Sequence, residues 1–233
     1  MLKIIKNIFL ISLFFLAINC DQLSKNKNSS NNMLTVKVFS SLTCPHCADF
    51  HGKIYEELEK EYISVGKVKF EHHSFPLDLA ALNAEKILQC KTNSEVNFKF
   101  LTEIYKKQSK WMVGSDINII NSSIKTIGKE FNLTENEMNK CLADKNLEEK
   151  ILNERIEAQK NYKGSSTPTI YINKKGEPIS ELPEMNFGSM ANDAGNLILN
   201  EDTKNEEIAE KLLQYIEKEV KLGTKVNHIM RHT

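Results

Sequence analysis

The chain has 233 residues, of which 40% are hydrophobic, so it is long enough to bury the core of one medium-sized domain or of one domain with an insertion. Lys and Arg together number 31, as do Asp and Glu, and this balance provides no general attraction to nucleic acid or to an acidic partner. We therefore expect no nucleic-acid binding.

The amino-terminal residues differ in kind from the rest of the chain. Two lysines precede an apolar run over residues 8–18, which is shorter than the roughly 20 residues needed to span a bilayer and is typical of an export signal. Cys20 follows at the position of the acylated cysteine of a lipoprotein, so lipidation, plain cleavage and an uncleaved anchor all stay open. We interpret residues 1–20 as an export segment and the polar residues 21–33 as a flexible linker.

Export changes how the four remaining cysteines are interpreted. In an oxidising compartment, Cys44, Cys47, Cys90 and Cys141 indicate two disulfides with three possible pairings. Close spacing favours Cys44 with Cys47, which leaves Cys90 with Cys141 as the default second pair. Two buried, unpaired thiols at the latter positions are the alternative.

The predicted elements begin with a strand over residues 34–39, where branched and aromatic residues alternate with polar ones. After the first two of these cysteines, apolar residues recur every fourth position and predict an amphipathic helix that begins near Pro45. Its apolar stripe is Cys47, Phe50, Ile54, Leu58 and Tyr62. A second strand is expected over residues 68–75.

From residue 79 to about residue 162 the pattern is helical throughout and is divided by turns and caps. Thr134 and Glu137 form a capping box before one of these helices. This length of helix-forming sequence between two strands predicts a separate helical segment.

Strand character returns over residues 167–172, followed by a turn at 173–176. Residues 180–202 form a long link before the final helix and are interpreted either as a tolerated insertion or as a loop over the surface that carries the cysteine motif. A capped helix opens at Thr203, and Gly223 is expected to lie just past its end.

This order predicts an α/β sandwich that is interrupted by a helical insertion. The sandwich is assigned to residues 34–77 and 162–222, and the insertion to residues 78–161. Residues 223–233 are interpreted as a carboxy-terminal tail.

The cysteine motif gains its chemistry from its place at the start of a helix. A sulfur at Cys44 lies among unpaired N–H groups at the positive end of the helix dipole, and both favour the thiolate. His46 can add a positive charge or a hydrogen bond. We therefore expect Cys44 to be the nucleophile and Cys47, on the apolar stripe, to be the less exposed resolving thiol.

Two other interpretations of the motif stay open. Cys44, Cys47 and a histidine such as His51 can form part of a zinc or copper site, although no second spaced pair of ligands is present. The two cysteines can also be a disulfide or a buried thiol pair without turnover.

Cys44-Pro-His-Cys47 at a helix start, a later Thr-Pro-Thr strand opening, a helical insertion between them and an export signal together resemble the DsbA-like thiol:disulfide oxidoreductases. The resemblance implies a thioredoxin-like sandwich with an inserted all-helical domain. It also implies that Thr167 and Pro168 form a loop facing the redox disulfide, with a cis bond before the proline. Cys90 and Cys141 resemble the non-catalytic disulfide of part of the family.

The resemblance further implies that Cys44 and Cys47 oxidise reduced, folding exported proteins and are reoxidised by a DsbB-like membrane partner. We expect no cofactor and no metal, a monomer, and a location in the periplasm, secreted or tethered to the membrane. A disulfide isomerase or reductase of the same fold, and a metal-binding or redox-inactive interaction module, are the rival functions.

Overall fold

The computed structural model describes residues 33–90, 94–174, 189–192, 197–199 and 205–229. Within these ranges a five-stranded sheet is formed by β1 Leu34–Ser40, β2 Val68–Ser74, β3 Thr169–Lys174, β4 Met190–Asn192 and β5 Leu197–Leu199. The α-helices of the described chain are α1 Pro45–Leu58, α2 Leu79–Leu88, α3 Ser94–Lys106, α4 Gln108–Trp111, α5 Ile117–Glu130, α6 Glu135–Ala143, α7 Lys145–Asn161 and α8 Asn205–Ile229. A π-helical turn, Glu59–Ile63, extends α1.

The sheet is mixed, with the strand order β2-β1-β3-β4-β5. Strand β1 is parallel to β2, with Leu34 opposite Val68, and antiparallel to β3, with Leu34 opposite Lys174. Strand β3 is parallel to β4, which is antiparallel to β5. Because β1 is paired on both sides, the chain that leaves it at Ser40 starts from a rigid base.

Helices cover both faces of this sheet. On one face, α1 and α8 pack against the alternating apolar residues of the strands, and burial of each such side chain contributes roughly 1.5–3 kcal/mol. The buried members include Val36, Val38, Phe50, Ile54, Leu58, Ile172, Ile208, Leu212 and Ile216. On the other face, Ala158 and Tyr162, at the end of α7, pack with Phe39 and Tyr171. The predicted α/β sandwich is confirmed.

The predicted helical insertion is also confirmed, since α2 to α7 lie between β2 and β3. Helices α2 to α6 share one apolar core, and Leu42, Cys44 and Cys47 of the cysteine-motif segment belong to that core. Thr134 and Glu137 form the expected capping box. The insertion therefore packs directly against the cysteine motif.

Three sequence expectations are corrected. Helix α8 continues to Ile229, past Gly223, because a glycine inside a helix costs only about 1 kcal/mol and does not oblige the helix to end. Strand β3 begins at Thr169 because Pro168 has no N–H to donate to the sheet. The segment 180–202, interpreted as a tolerated insertion or a loop, contains β4 and β5, which are too short for periodicity to indicate them.

Several expectations lie outside the described residues. These are the export segment with Cys20, the linker up to residue 32, the part of the turn after residue 174, the helix cap at Thr203 and the last residues of the tail. None of the helices within the described ranges combines the length and the apolar composition that crossing a bilayer requires.

Candidate active site

Cys44 caps the first helix just after β1. The chain turns there, with the Cys44 N–H donating to the Ser41 carbonyl at 3.1 Å. The Cys44 carbonyl then accepts the first helical bonds, from the N–H groups of Cys47 at 3.1 Å and Ala48 at 3.2 Å. Pro45 occupies the first helical position, where its missing N–H costs nothing. The Cys44 sulfur is thus held at the end of the helix that favours negative charge.

The Cys44 thiol is more acidic than an ordinary cysteine, with a pKa lowered from 9.0 to about 6. The hydrogen bond from the Cys47 thiol is the largest cause, and burial opposes it. The Thr167 side chain and the backbone N–H groups of Cys47 and His46 lower the pKa further. At neutral pH Cys44 is therefore mostly thiolate, the nucleophilic form.

Cys47 has the opposite character. It is 1% exposed, and burial raises the pKa of its thiol well above 9.0. The hydrogen bond with Cys44 and the charge on Cys44 raise this pKa further, while the Thr167 side chain and the Ser41 N–H lower it. The pair therefore carries one proton over a wide pH range, and that proton resides on Cys47.

The Thr167–Pro168 peptide bond is cis, and both residues are buried. The Cys44 sulfur lies 3.7 Å from the Thr167 carbonyl oxygen, so this loop lies against the cysteine pair. The Thr167 hydroxyl is buried and has no hydrogen-bond partner within the described part of the chain. It is thus available to a Cys44 thiolate, which explains how the Thr167 side chain lowers the Cys44 pKa.

His46 is exposed on the first turn of α1. Its backbone N–H is one of the groups that lower the Cys44 pKa. The contribution expected from its imidazole stays a prediction.

Gln108 is a site residue that the sequence did not indicate. From α4, its buried Nε2 donates to the Leu42 carbonyl at 2.8 Å and to the Cys44 carbonyl at 3.0 Å. The Thr43 hydroxyl of the same turn donates to Asp78 at 2.8 Å. A single glutamine in a helical block carries no motif, so only its position in the fold shows that it braces the cysteine turn.

A family model described as Thioredoxin matches residues 29–181 of this sequence. The chain belongs to the thioredoxin family. A second model, described as the target recognition domain of MmeI, matches the shorter segment 166–222. Strands β3 and β4 of that segment pair within the same sheet as β1, so this segment contributes to the thioredoxin-like sandwich.

Relatives of this thioredoxin-family protein have names that refer to disulfides. A Rickettsia bellii protein, provisionally named protein-disulfide oxidoreductase, is 30% identical over 146 residues, which cover 63% of this chain and 55% of that protein. The Bacillus subtilis disulfide bond formation protein D is 28% identical over 151 residues, which cover 61% of this chain and 64% of that protein. The chain therefore spans little more than half the length of the Rickettsia relative.

A solved structure shows the same fold. The crystal structure of α-DsbA1 from Wolbachia pipientis has a TM-score of 0.65 to this chain at 21% sequence identity. The match covers 84% of this chain and 89% of that chain. The helical insertion is thus part of a known variant of the thioredoxin fold.

A disulfide in the insertion of this thioredoxin-family protein joins Cys90 and Cys141, the pairing that the resemblance implies. The two Cα atoms are 5.8 Å apart, and the cysteines lie 51 positions apart in the sequence. The bridge links the segment after α2 to α6, and its role as a structural tie stays a prediction.

His51, considered above as a metal ligand, is held elsewhere. Its Nε2 lies 3.0 Å from the Thr102 hydroxyl, and its ring centroid lies 5.1 Å from that of Tyr105. Burial, with the charge of His72, lowers the pKa of His51 to about 3, so the ring is neutral. Among the described residues no group of three or more His, Cys, Asp or Glu side chains is arranged to hold a metal ion.

Proposed function

We propose that this protein introduces disulfides into other proteins by thiol–disulfide exchange at Cys44 and Cys47. The observation that carries the proposal is the asymmetry of the pair, a Cys44 pKa of about 6 beside a Cys47 pKa well above 9.0. The names of the Rickettsia and Bacillus relatives and the shared fold support the same chemistry.

The difference in pKa between the Cys44 and Cys47 thiols determines the order of the exchange steps. A substrate thiolate attacks the Cys44 sulfur, the Cys44–Cys47 bond breaks, and Cys47 leaves with the electron pair. A second substrate thiolate then attacks the substrate sulfur of the mixed disulfide and releases Cys44 as its thiolate. Because a low pKa makes Cys44 a good leaving group and stabilises the reduced protein, the disulfide form is an oxidant.

The surrounding residues have supporting roles in this proposal. The Thr167–Pro168 loop faces the reacting sulfur and presents the Thr167 carbonyl and hydroxyl to it. His46, exposed beside Cys44, stabilises the thiolate by a positive charge or a hydrogen bond. Gln108 keeps the cysteine turn in place.

The proposed site of action is outside the cytoplasm, in the periplasm or on a membrane facing it. The support is the export-type sequence of residues 1–20 and the polar residues after it. Substrates are reduced exported proteins, the protein acts as a monomer without a cofactor, and a DsbB-like membrane protein reoxidises it.

Cell fractionation of the wild type and of Cys20→Ser tests the location, since loss of membrane association only in the variant indicates a lipid at Cys20.

The decisive assay is refolding of a reduced model protein whose activity needs its disulfides. We expect the oxidised protein to accelerate recovery, Cys44→Ala to abolish the effect, and Cys47→Ala to accumulate substrate linked to Cys44. A Cys44→Ala variant as active as wild type contradicts the proposal.

The redox state of the pair in cells separates an oxidase from an isomerase or reductase. An oxidase is found with Cys44 and Cys47 joined, and an isomerase is found with both reduced. Stoichiometric zinc or copper in the purified protein, without thiol exchange, contradicts both and indicates a metal-binding module.

A further inference from the structure

Two charged side chains in the interior join the helical insertion to the sheet. His72 lies on β2, and its Nε2 is 2.8 Å from Oε1 of Glu85, which lies on α2. The Glu85 side chain is fully buried and the His72 side chain is 12% exposed. Strand β2 belongs to the sandwich and α2 is the first helix of the insertion, so this contact crosses the boundary between the two parts of the molecule.

The charge of Glu85 depends on His72. The other carboxylate oxygen of Glu85 accepts a hydrogen bond from the Ser74 hydroxyl at 3.0 Å, and Ser74 carries no charge. Among the described residues, His72 is the only side chain that forms an ion pair with Glu85. A carboxylate buried without a positive charge nearby is costly, so the contact is strongest when the His72 ring is protonated.

The acidic groups around His72 favour the protonated ring. Burial lowers the pKa of His72, but the charge and hydrogen bond of Glu85 and the charge of Glu154 outweigh it, so this pKa is raised. Glu154 reaches the cluster from α7, where its carboxylate accepts a hydrogen bond from the Ser74 N–H at 2.6 Å. Two helices of the insertion therefore direct negative charge toward one residue of the sheet.

The remaining groups near His72 are neutral. Ser40 Oγ, on β1, lies 3.0 Å from His72 Nδ1 and accepts a hydrogen bond from the Tyr105 hydroxyl of α3. Burial raises the pKa of Tyr105 well above 10.0, so this hydroxyl keeps its proton. On α1, burial and the charge of His72 lower the pKa of His51 to about 3. Neither Tyr105 nor His51 therefore changes its charge near neutral pH.

The position of the insertion matters for the cysteine motif. Helices α2 to α6 share their apolar core with Cys44 and Cys47. From α4, Gln108 donates to the Cys44 carbonyl at 3.0 Å. An insertion that is held less firmly against the sheet therefore loosens the surroundings of both sulfurs.

We propose that His72 and Glu85 form a proton-dependent latch between the sheet and the helical insertion, closed while the His72 ring is protonated and weakened when it is neutral. The step is the loss of one proton from His72 Nδ1 to water. The Nε2 proton stays toward Glu85, but the positive charge is gone, and the buried carboxylate then faces neutral donors alone. This inference goes beyond the proposed thiol exchange and does not depend on it.

The direction of the pH dependence follows from the raised pKa. The latch contributes in full below the ordinary histidine pKa of 6.5, and its contribution is lost as pH rises through the higher pKa of His72 in the folded protein. The insertion should therefore be held firmly at pH 6 and less firmly at pH 9.

The first test is a double-mutant cycle in urea at pH 6 and pH 9, on protein with Cys44 and Cys47 joined so that neither thiol titrates. The variants are His72→Gln, Glu85→Gln and both together. His73→Gln replaces His72→Gln in a matched control cycle, because His73 contacts Glu71 of its own strand at 3.1 Å. The coupling factor is the ratio of the effects of Glu85→Gln on the unfolding constant in the two histidine backgrounds.

We expect a coupling factor of at least about tenfold at pH 6 and below about threefold at pH 9. The control cycle should give a factor near one at both pH values. A factor near one at pH 6, or the same factor at both pH values, overturns the inference.

The second test follows the insertion without denaturant. Trp111 is the single tryptophan of the chain, is 1% exposed and belongs to the core shared with Cys44 and Cys47. Acrylamide quenching of its fluorescence should rise from pH 6 to pH 9 in the oxidised wild type and in His73→Gln. In His72→Gln quenching should be the same at both pH values.

Wild-type quenching that does not change between pH 6 and pH 9 overturns the inference, because the ion pair then stabilises the protein without holding the insertion. An equal rise in His72→Gln overturns it as well, because another group is then responsible. The quenching test does not use Glu85→Gln, so it decides the question even if that variant does not fold.

Discussion

Replacing Thr167 with valine should raise the pKa of Cys44. The substitution keeps the shape of the side chain and removes the buried hydroxyl that is available to the thiolate. The Thr167 carbonyl, 3.7 Å from the Cys44 sulfur, remains in place. Any change in acidity therefore reports the hydroxyl alone.

The size of the effect follows from the strength of one hydrogen bond to a charge. Such a bond contributes about 1.5–3 kcal/mol, and the lower end applies here because solvent partly screens Cys44 and the Cys47 thiol is the larger donor. This corresponds to about one pKa unit, from about 6 to about 7. At pH 7 the thiolate fraction should fall from roughly nine tenths to roughly half.

The assay is titration of the reduced protein by the ultraviolet absorbance of the thiolate. Cys44 titrates alone in the neutral range because the pKa of Cys47 lies well above 9.0. Ser166→Ala is the matched control, since the Ser166 hydroxyl is also buried without a partner in the described chain. An unchanged Cys44 pKa in Thr167→Val, or an equal rise in Ser166→Ala, refutes the reasoning.

Three further outcomes are expected. Because the folded pKa of Cys44, about 6, lies below the ordinary 9.0, the reduced protein should gain stability as pH rises from 6 toward 9 and lose that gain as pH falls through 6. Urea unfolding checks this, and an oxidised protein with the same pH dependence contradicts it. Gln108→Ala should lower the free energy of unfolding by about 2 kcal/mol, because it removes two buried hydrogen bonds, those to the Leu42 and Cys44 carbonyls; an unchanged urea midpoint argues against this bracing role. Cys90→Ala with Cys141→Ala should cost about 4 kcal/mol in the chain-entropy model for 51 residues while the Cys44 pKa is preserved. A shifted Cys44 pKa in that double variant means that the bridge also shapes the active site.

The sequence indicated the elements that depend on neighbours along the chain. Strand β1 and helix α1 were predictable because apolar residues repeat with a period of two and then of nearly four. The acidity of Cys44 was predictable in direction, because a sulfur at a helix start meets unpaired N–H groups whatever lies beyond. The resemblance of the motifs to those of a known family predicted the fold, and the match to the family model described as Thioredoxin confirmed it.

Features that join distant segments were decided only by the tertiary structure. Gln108 lies 64 positions after Cys44 in the sequence, yet its side chain donates a hydrogen bond to the Cys44 carbonyl. The side chains of Ser40 and His72 are in contact because β1 and β2 are adjacent in the sheet. The residue types alone do not predict such contacts. A buried polar side chain forms a hydrogen bond only when the backbone places a donor or an acceptor within hydrogen-bond distance of it. Local periodicity thus indicated the longer strands and the helices, whereas the packing of those segments decided how much the pKa values of the two thiols differ and which groups surround the two sulfurs.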